Sequence, residues 1–368
     1  MSARRAMLGV VAVLTLSGGT FAGLGVGTAS AGRSETGTTA AGPAQPGVTT
    51  VTTPTIPAAA LPGHNRPVVA LGDMNTPEQF IIGQLYQLAL EQEGYTVTLS
   101  RNVGPAHVAQ LALQDGTLDI YPDYLGKWNS YVAHLHTRFQ TLSASYKAAS
   151  AYAKKHGFVL LKPTPFSDTS GLAVTSEYAQ ENHITSIPDL TRGTGVIIGV
   201  PLEFESATHG LSALARAYHL HPTTGRCLTG ACAFIQQIND IGSQYGWLSS
   251  GGVQVAFSYT TDPELTGPEF RELRDPKHVF GFGNVVPVTT SQVLKAEGPA
   301  FKRTIERVDA LLTTQAVRGL NSEYSVGRHD PTPIAEQFLE GNGILPPSQY
   351  AAVTTTTSSP LTTTTTAP

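Results

Sequence analysis

The chain has 368 residues, 40 % hydrophobic and 14 % charged, with a formal net charge of −4. That length can bury a large core, while the charge balance offers no basic face for nucleic acid and no Lys or Arg run for an anionic lipid surface. Small molecules remain the natural ligands.

Residues 1–31 open with Arg4 and Arg5, continue through an apolar run interrupted by Gly, Ser and Thr, and end at Ala29-Ser30-Ala31. This is the pattern of an export signal with a small-residue cleavage site; the paired arginines also permit the twin-arginine route, and an uncleaved anchor is the competing reading. Residues 32–65, rich in Thr, Pro, Ala and Gly, and the Thr-rich residues 349–368 lack the apolar side chains needed to offset their ordering entropy. They are expected to form a disordered linker and tail. No later stretch reaches the ~18 to 20 apolar residues that span a bilayer. An exported chain, extracellular or periplasmic and not inserted in the membrane once mature, is the expectation.

Between the tails, apolar runs alternate with amphipathic ones, the signature of an α/β architecture with largely parallel sheets. Strands are expected at 68–71, 95–99, 118–121, 159–162, 195–200, 234–238 and 253–258. Helices are expected at 105–114, 141–156, 207–218, 242–249, 299–314 and 333–340. A further helix follows the first strand: Thr76-Pro77-Glu78-Gln79 has the helix-start arrangement, with Thr as N-cap and Pro in the first turn, and Gly94 is its stop. Residues 171–175 are a short apolar passage after an Asp-Thr-Ser turn. Cys227 and Cys232 are the two cysteines, and in an exported protein such a pair is more simply a disulfide than a metal site. Closing so small a loop stabilises by about 2 kcal/mol. Neither lies at the signal exit, so lipid attachment there is not expected.

Several distinct blocks then stand in order along the chain: Asn75-Thr76-Pro77-Glu78-Gln79, Ile82-Gly83-Gln84-Leu85, Asp119-Ile120-Tyr121-Pro122-Asp123-Tyr124-Leu125-Gly126, Asp168-Thr169-Ser170, Glu203-Phe204, Tyr259-Thr260-Thr261-Asp262 and Phe282-Gly283-Asn284. Together they resemble the substrate-binding proteins of ABC importers for osmoprotectants such as glycine betaine, choline, carnitine and proline betaine. The resemblance implies a type II periplasmic-binding fold, two lobes with a hinge and an interlobe cleft. Lobe one would comprise residues 66–168 and 268–348, and lobe two residues 169–267.

A quaternary ammonium donates no ordinary hydrogen bond, so it is held by aromatic faces around its diffuse charge. The resemblance implies a tyrosine box with an arginine for a carboxylate. Tyr124 and Tyr259 keep two faces of the box, whereas Ser170 and Gly283 replace the other two, and Ala207 and His209 stand where the family has an arginine and an acid. At about 1 to 2 kcal/mol per face, two missing faces weaken binding by roughly 30-fold to 1000-fold. Phe280 and Phe282 flank position 283 as replacements. The ligand-binding candidates are thus Tyr124, Tyr259, Asp168, Ser170, Lys127, Phe282 and Asn75.

The His134/His136 and His219/His221 pairs have metal-like spacing, but without nearby carboxylates they are better read as exposed; no metal or cofactor is expected. Ser170 and Ser206 lack a nucleophile-elbow context, so a secreted hydrolase is a distant reading. The leading expectation is a non-enzymatic solute-binding component of an ABC importer, delivering a small solute, with altered specificity, to permease and ATPase subunits. The alternative is an extracellular interaction or sensory module that kept the fold and lost its transport ligand.

Overall fold

The computed structural model describes residues 57–192, 195–206, 209–223, 232–238, 242–328 and 330–348. The signal segment, most of the linker, the Thr-rich tail and Cys227 lie outside the described residues.

In chain order the first part contains β1 (Val69–Gly72), α1 (Pro77–Gln92), β2 (Val97–Ser100), α2 (Ala106–Gln114), β3 (Ile120–Tyr124), the single turn α3 (Leu125–Lys127), α4 (Leu142–Lys155) and β4 (Phe158–Leu160). Then come β5 (Ser170–Thr175), α5 (Ser176–Glu181), β6 (Val196–Val200), α6 (Leu202–Ser206), α7 (Leu211–Tyr218), β7 (His221–Thr223), β8 (Cys232–Gln237), α8 (Gln244–Ser249), β9 (Val255–Tyr259) and β10 (Phe270–Glu272). The chain ends in β11 (Val285–Thr290), α9 (Ser291–Leu311), α10 (Thr314–Glu323) and α11 (Pro331–Gly341). α1 starts as its sequence dictates: Thr76 Oγ1 accepts from the Gln79 N–H at 3.4 Å, and Pro77 fills the first turn.

The strands form two sheets, ordered β2-β1-β3-β11-β4 and β10-β5-β9-β6-β8-β7. Most neighbours fed by a helical crossover run parallel, and β7 also pairs parallel with β8. β5 and β11 are the exceptions: each is entered directly from the other lobe and runs antiparallel to both neighbours. Each sheet has its own core. One gathers Leu71, Leu85, Ile120, Trp128, Val286 and Phe301; the other gathers Leu172, Ile198, Val255 and Phe257. This is the two-lobe α/β fold that the resemblance implied.

Three expectations are corrected. Residues 268–280, assigned to lobe one, belong with lobe two, because β10 pairs with β5 and both Leu273 and Val279 lie in the second core. The linker does not extend to residue 65: a short 3-10 turn at Ala58–Ala60 precedes a packed segment in which Gly63 N–H donates to Glu93 O at 2.9 Å and Arg66 Nη1 to Ala296 O at 2.9 Å. Gly63 lies so close to the chain that a Cβ would stand 2.3 Å from Tyr95 N. The third strand does not stop at Tyr121 but runs on through Pro122 and Asp123 to Tyr124.

Candidate functional site

The two lobes are tied where the chain crosses between them. At the first crossing, Asp168 N–H donates to Gly283 O at 3.0 Å, and Ser167 Oγ accepts from Gly283 N–H at 2.9 Å. Thr169 and Thr260 extend the tie, with Thr260 N–H donating to Thr169 O and Thr169 N–H to Thr260 Oγ1, both at 3.0 Å. These crossings form one wall of a cavity of about 310 Å3. That is the lower end of the size range for small-ligand sites.

Tyr124, at the end of β3, is buried, and its hydroxyl donates to Glu78 Oε1 at 2.7 Å. Tyr259 closes β9 and is 37 % exposed into the cavity from lobe two. Its partner across the β5–β9 rung is Ser170, so these two candidates are brought side by side by strand register. Behind Tyr259 an aromatic series runs back through lobe two: Tyr259 to Phe257 at 5.0 Å, Phe257 to Phe204 at 5.0 Å, and Phe204 to Phe280 at 5.9 Å between ring centroids. Phe282 lies on the second crossing, tilted against His278 at 4.9 Å. Phe280 and Phe282 both line the cavity.

Asp168 also lines it, and its Oδ1 is buried without a hydrogen-bond partner among the described residues. Burial, followed by the negative charge of Glu78, holds the Asp168 carboxyl well above the ordinary carboxylate range, while Lys127 pulls the other way. Glu78 is raised too, chiefly by burial, against the hydrogen bonds from Tyr124, Thr261 and Asn321. Glu78 is thus more than the helix-start residue its position suggested. It anchors the Tyr124 ring.

Of the seven predicted ligand-binding residues, Tyr124, Tyr259, Asp168, Ser170, Lys127 and Phe282 border this one cavity. Asn75 does not. Preceding the α1 cap, it borders a separate cavity of about 590 Å3 with Asn102 and His107, and only Lys127 and Tyr131 reach both spaces. Sequence reasoning missed Tyr131, Arg138 and Phe139 in the first cavity. A π-helical turn at Trp128–Val132 carries the chain there, anchored by fully buried Trp128 packed edge-on against Phe158 at 5.9 Å. No local motif announces that turn. His209, noted only as the replacement of an acid, also lines the cavity, its Nδ1 3.2 Å from Val279 O. His134, His136, His219 and His221 are exposed, and no metal-binding cluster occurs among the described residues.

Residues 67–341 match the family described as the substrate-binding domain of the ABC-type glycine betaine transport system. The chain belongs to this family. Over 289 residues it is 28 % identical to the glycine-betaine-binding protein of Pseudomonas aeruginosa, a match covering 76 % of this chain and 89 % of that protein. It is 25 % identical over 292 residues to the glycine betaine-binding protein YehZ of Escherichia coli, covering 78 % and 94 % respectively. A solved structure described as a glycine betaine/carnitine/choline ABC transporter is similar with a TM-score of 0.67 at 22 % identity, covering 75 % of this chain and 99 % of that one. Apo YehZ from Escherichia coli is similar with a TM-score of 0.64 at 25 % identity and the same coverages. This binding protein is therefore an extracytoplasmic solute-binding component of an ABC importer, working with permease and ATPase subunits, and not an enzyme. No helix among its described residues is long and apolar enough to cross a membrane.

Proposed function

We propose that the interlobe cavity binds a small betaine-type solute, a quaternary ammonium head carrying a carboxylate, and that Tyr124, Tyr259, Asp168, Ser170, Lys127 and Phe282 hold it. The observation that carries this reading is the convergence of Tyr124 from lobe one and Tyr259 from lobe two on a single space that also contains the unpartnered Asp168 oxygen. Aromatic faces suit a cation that cannot donate hydrogen bonds, and its charge in turn favours ionisation of the Asp168 carboxyl beside it, against the burial that raises it. Phe280 and Phe282 supply aromatic surface where the box tyrosine at Gly283 is absent, and Arg138 is a guanidinium in the cavity for the solute carboxylate, in place of the arginine missing at Ala207. The names of its relatives support the same solute class. Titration calorimetry with glycine betaine, choline, carnitine and proline betaine tests it. Heat with glycine betaine that disappears in a Tyr124→Ala/Tyr259→Ala double variant is the expected result; no binding of any of the four solutes overturns it.

Residues 1–31 serve in this reading as the export signal, and Cys227 and Cys232 are joined as a disulfide in the oxidising space outside the cytoplasm. The competing retention by an uncleaved N-terminus predicts a different mass. Intact mass and N-terminal sequence of the exported protein check both points: a start near residue 32 and no thiol reactive to alkylation before reduction are expected, and an intact Met1 or two free thiols contradict them.

A further inference from the structure

One face of the buried Tyr124 ring already carries a cation. Lys127 lies three residues on, at the end of the single turn α3, and this spacing returns its side chain to the same face. Its Nζ sits 4.4 Å from the Tyr124 ring centroid, within the distance at which a cation and an aromatic face attract. The ring cannot easily turn away, because its hydroxyl is held by buried Glu78 at 2.7 Å. Lys127 is also the positive charge that opposes the raised carboxyls of Glu78, Asp123 and Asp168. The ammonium thus stands where the cationic head of a solute would have to go, and two cations do not share one aromatic face.

We propose that Lys127 is a specificity-determining residue whose ammonium is a tethered occupant of the Tyr124 face, displaced only by a solute that brings a carboxylate together with its cationic head. The inference rests on the betaine reading of the cavity and deepens it. On displacement the lysine exchanges the ring for the solute carboxylate, alongside Arg138, which borders the same cavity. A plain quaternary ammonium such as choline offers no anion to receive the displaced lysine, and leaves it next to a second positive charge in a partly water-excluded space. The site therefore selects zwitterions over simple cations. Lys127 is an exposed residue outside both cores, so its replacement is expected to leave them intact.

The test is calorimetry on the full chain, wild type and Lys127→Gln, with glycine betaine and choline as the probes; the quantity read is the ratio of the choline Kd to the betaine Kd. Lys127→Gln is expected to lower that ratio at least tenfold, mainly by tightening choline, whereas Lys127→Arg, which keeps a cation over the ring, is expected to preserve the preference. An unchanged ratio in Lys127→Gln, with betaine still bound, overturns the tethered-cation inference and leaves the betaine reading standing. Wild type that fails to bind glycine betaine also overturns the tethered-cation inference, whatever Lys127→Gln binds, because the carboxylate-bearing solute then does not displace the lysine. If no form binds either probe, the betaine reading fails and this inference fails with it.

Discussion

At position 283, where the resemblance implied a box tyrosine, the fold leaves no room for a side chain. A Cβ built on Gly283 would stand 1.7 Å from the Asp168 carbonyl oxygen and 2.4 Å from its carbon, so any side chain there collides with the backbone of the other crossing. Neither atom is the end of a flexible side chain that can step aside. Counting aromatic faces from the sequence treats Gly283 as a binding face lost; the structure shows it as the residue that lets the two crossings approach and exchange hydrogen bonds. The aromatic surface moves instead to Phe280 and Phe282 on either side. Gly283→Ala is accordingly expected to destabilise by about 1 to 3 kcal/mol, the range for overpacking a close contact, and to weaken solute binding by disturbing the crossings. Urea unfolding and calorimetry measure the two effects. A variant as stable as wild type would show that the crossings separate freely.

β3 is the element on which sequence reasoning and structure part most clearly. A proline ordinarily argues against a central strand because it cannot donate to the ladder, yet the strand, expected only at 118–121, continues through Pro122. In the sheet, Pro122 lies opposite Pro287 of β11, so both missing N–H groups fall on one rung, and β1 pairs with β3 only at Ile120. The extension buries Asp123 fully, with Tyr121 Oη 3.4 Å from its Oδ2 and Oδ1 without a partner among the described residues. Burial pushes the Asp123 carboxyl from 3.8 up to about 7, against the pull of the Tyr124 backbone N–H and of Lys127. The folded protein therefore holds a proton that the unfolded chain releases between about pH 4 and pH 7, and the stabilisation present at low pH is lost as pH rises through that window. One such proton contributes a slope of about 1.4 kcal/mol per pH unit. Asp73 and Asp262, each raised to about 6, act in the same sense. Asp123→Asn is expected to flatten the fall in the urea midpoint between pH 5 and pH 8 relative to wild type. Parallel slopes in the two proteins would refute the assignment.

Across the whole molecule, α10 joins the lobes outside the two crossings. Val317 and Leu320 pack into the first core, while on the same helix Arg318 donates to Thr260 O at 2.8 Å and pairs with Glu272 Oε2 at 2.6 Å in lobe two. Asn321 reaches both Thr261 O at 3.1 Å and Glu78 Oε2 at 3.2 Å, so the base of Tyr124 and the loop after Tyr259 share one support. None of this was legible beforehand: α10 has a polar, short sequence whose apolar stripe is only a few residues long, and its role depends on contacts more than 45 residues apart in the chain. The same holds for β10, whose three residues acquire a lobe only by pairing with β5, and for Tyr131 and Arg138, which the Trp128 turn brings to the cavity. By contrast, the alternation of strand and helix, the Thr76 cap, the ordered blocks that mark the family, and six of the seven candidate residues in the cavity could be read from the chain itself. Those features rest on local chemistry, because periodicity, capping and turn preference act between residues close in sequence. Which residues face each other across the cleft, why Gly283 bears no side chain and where the Lys127 charge rests were decided by tertiary structure alone, because burial and strand register are set by partners that no local window contains.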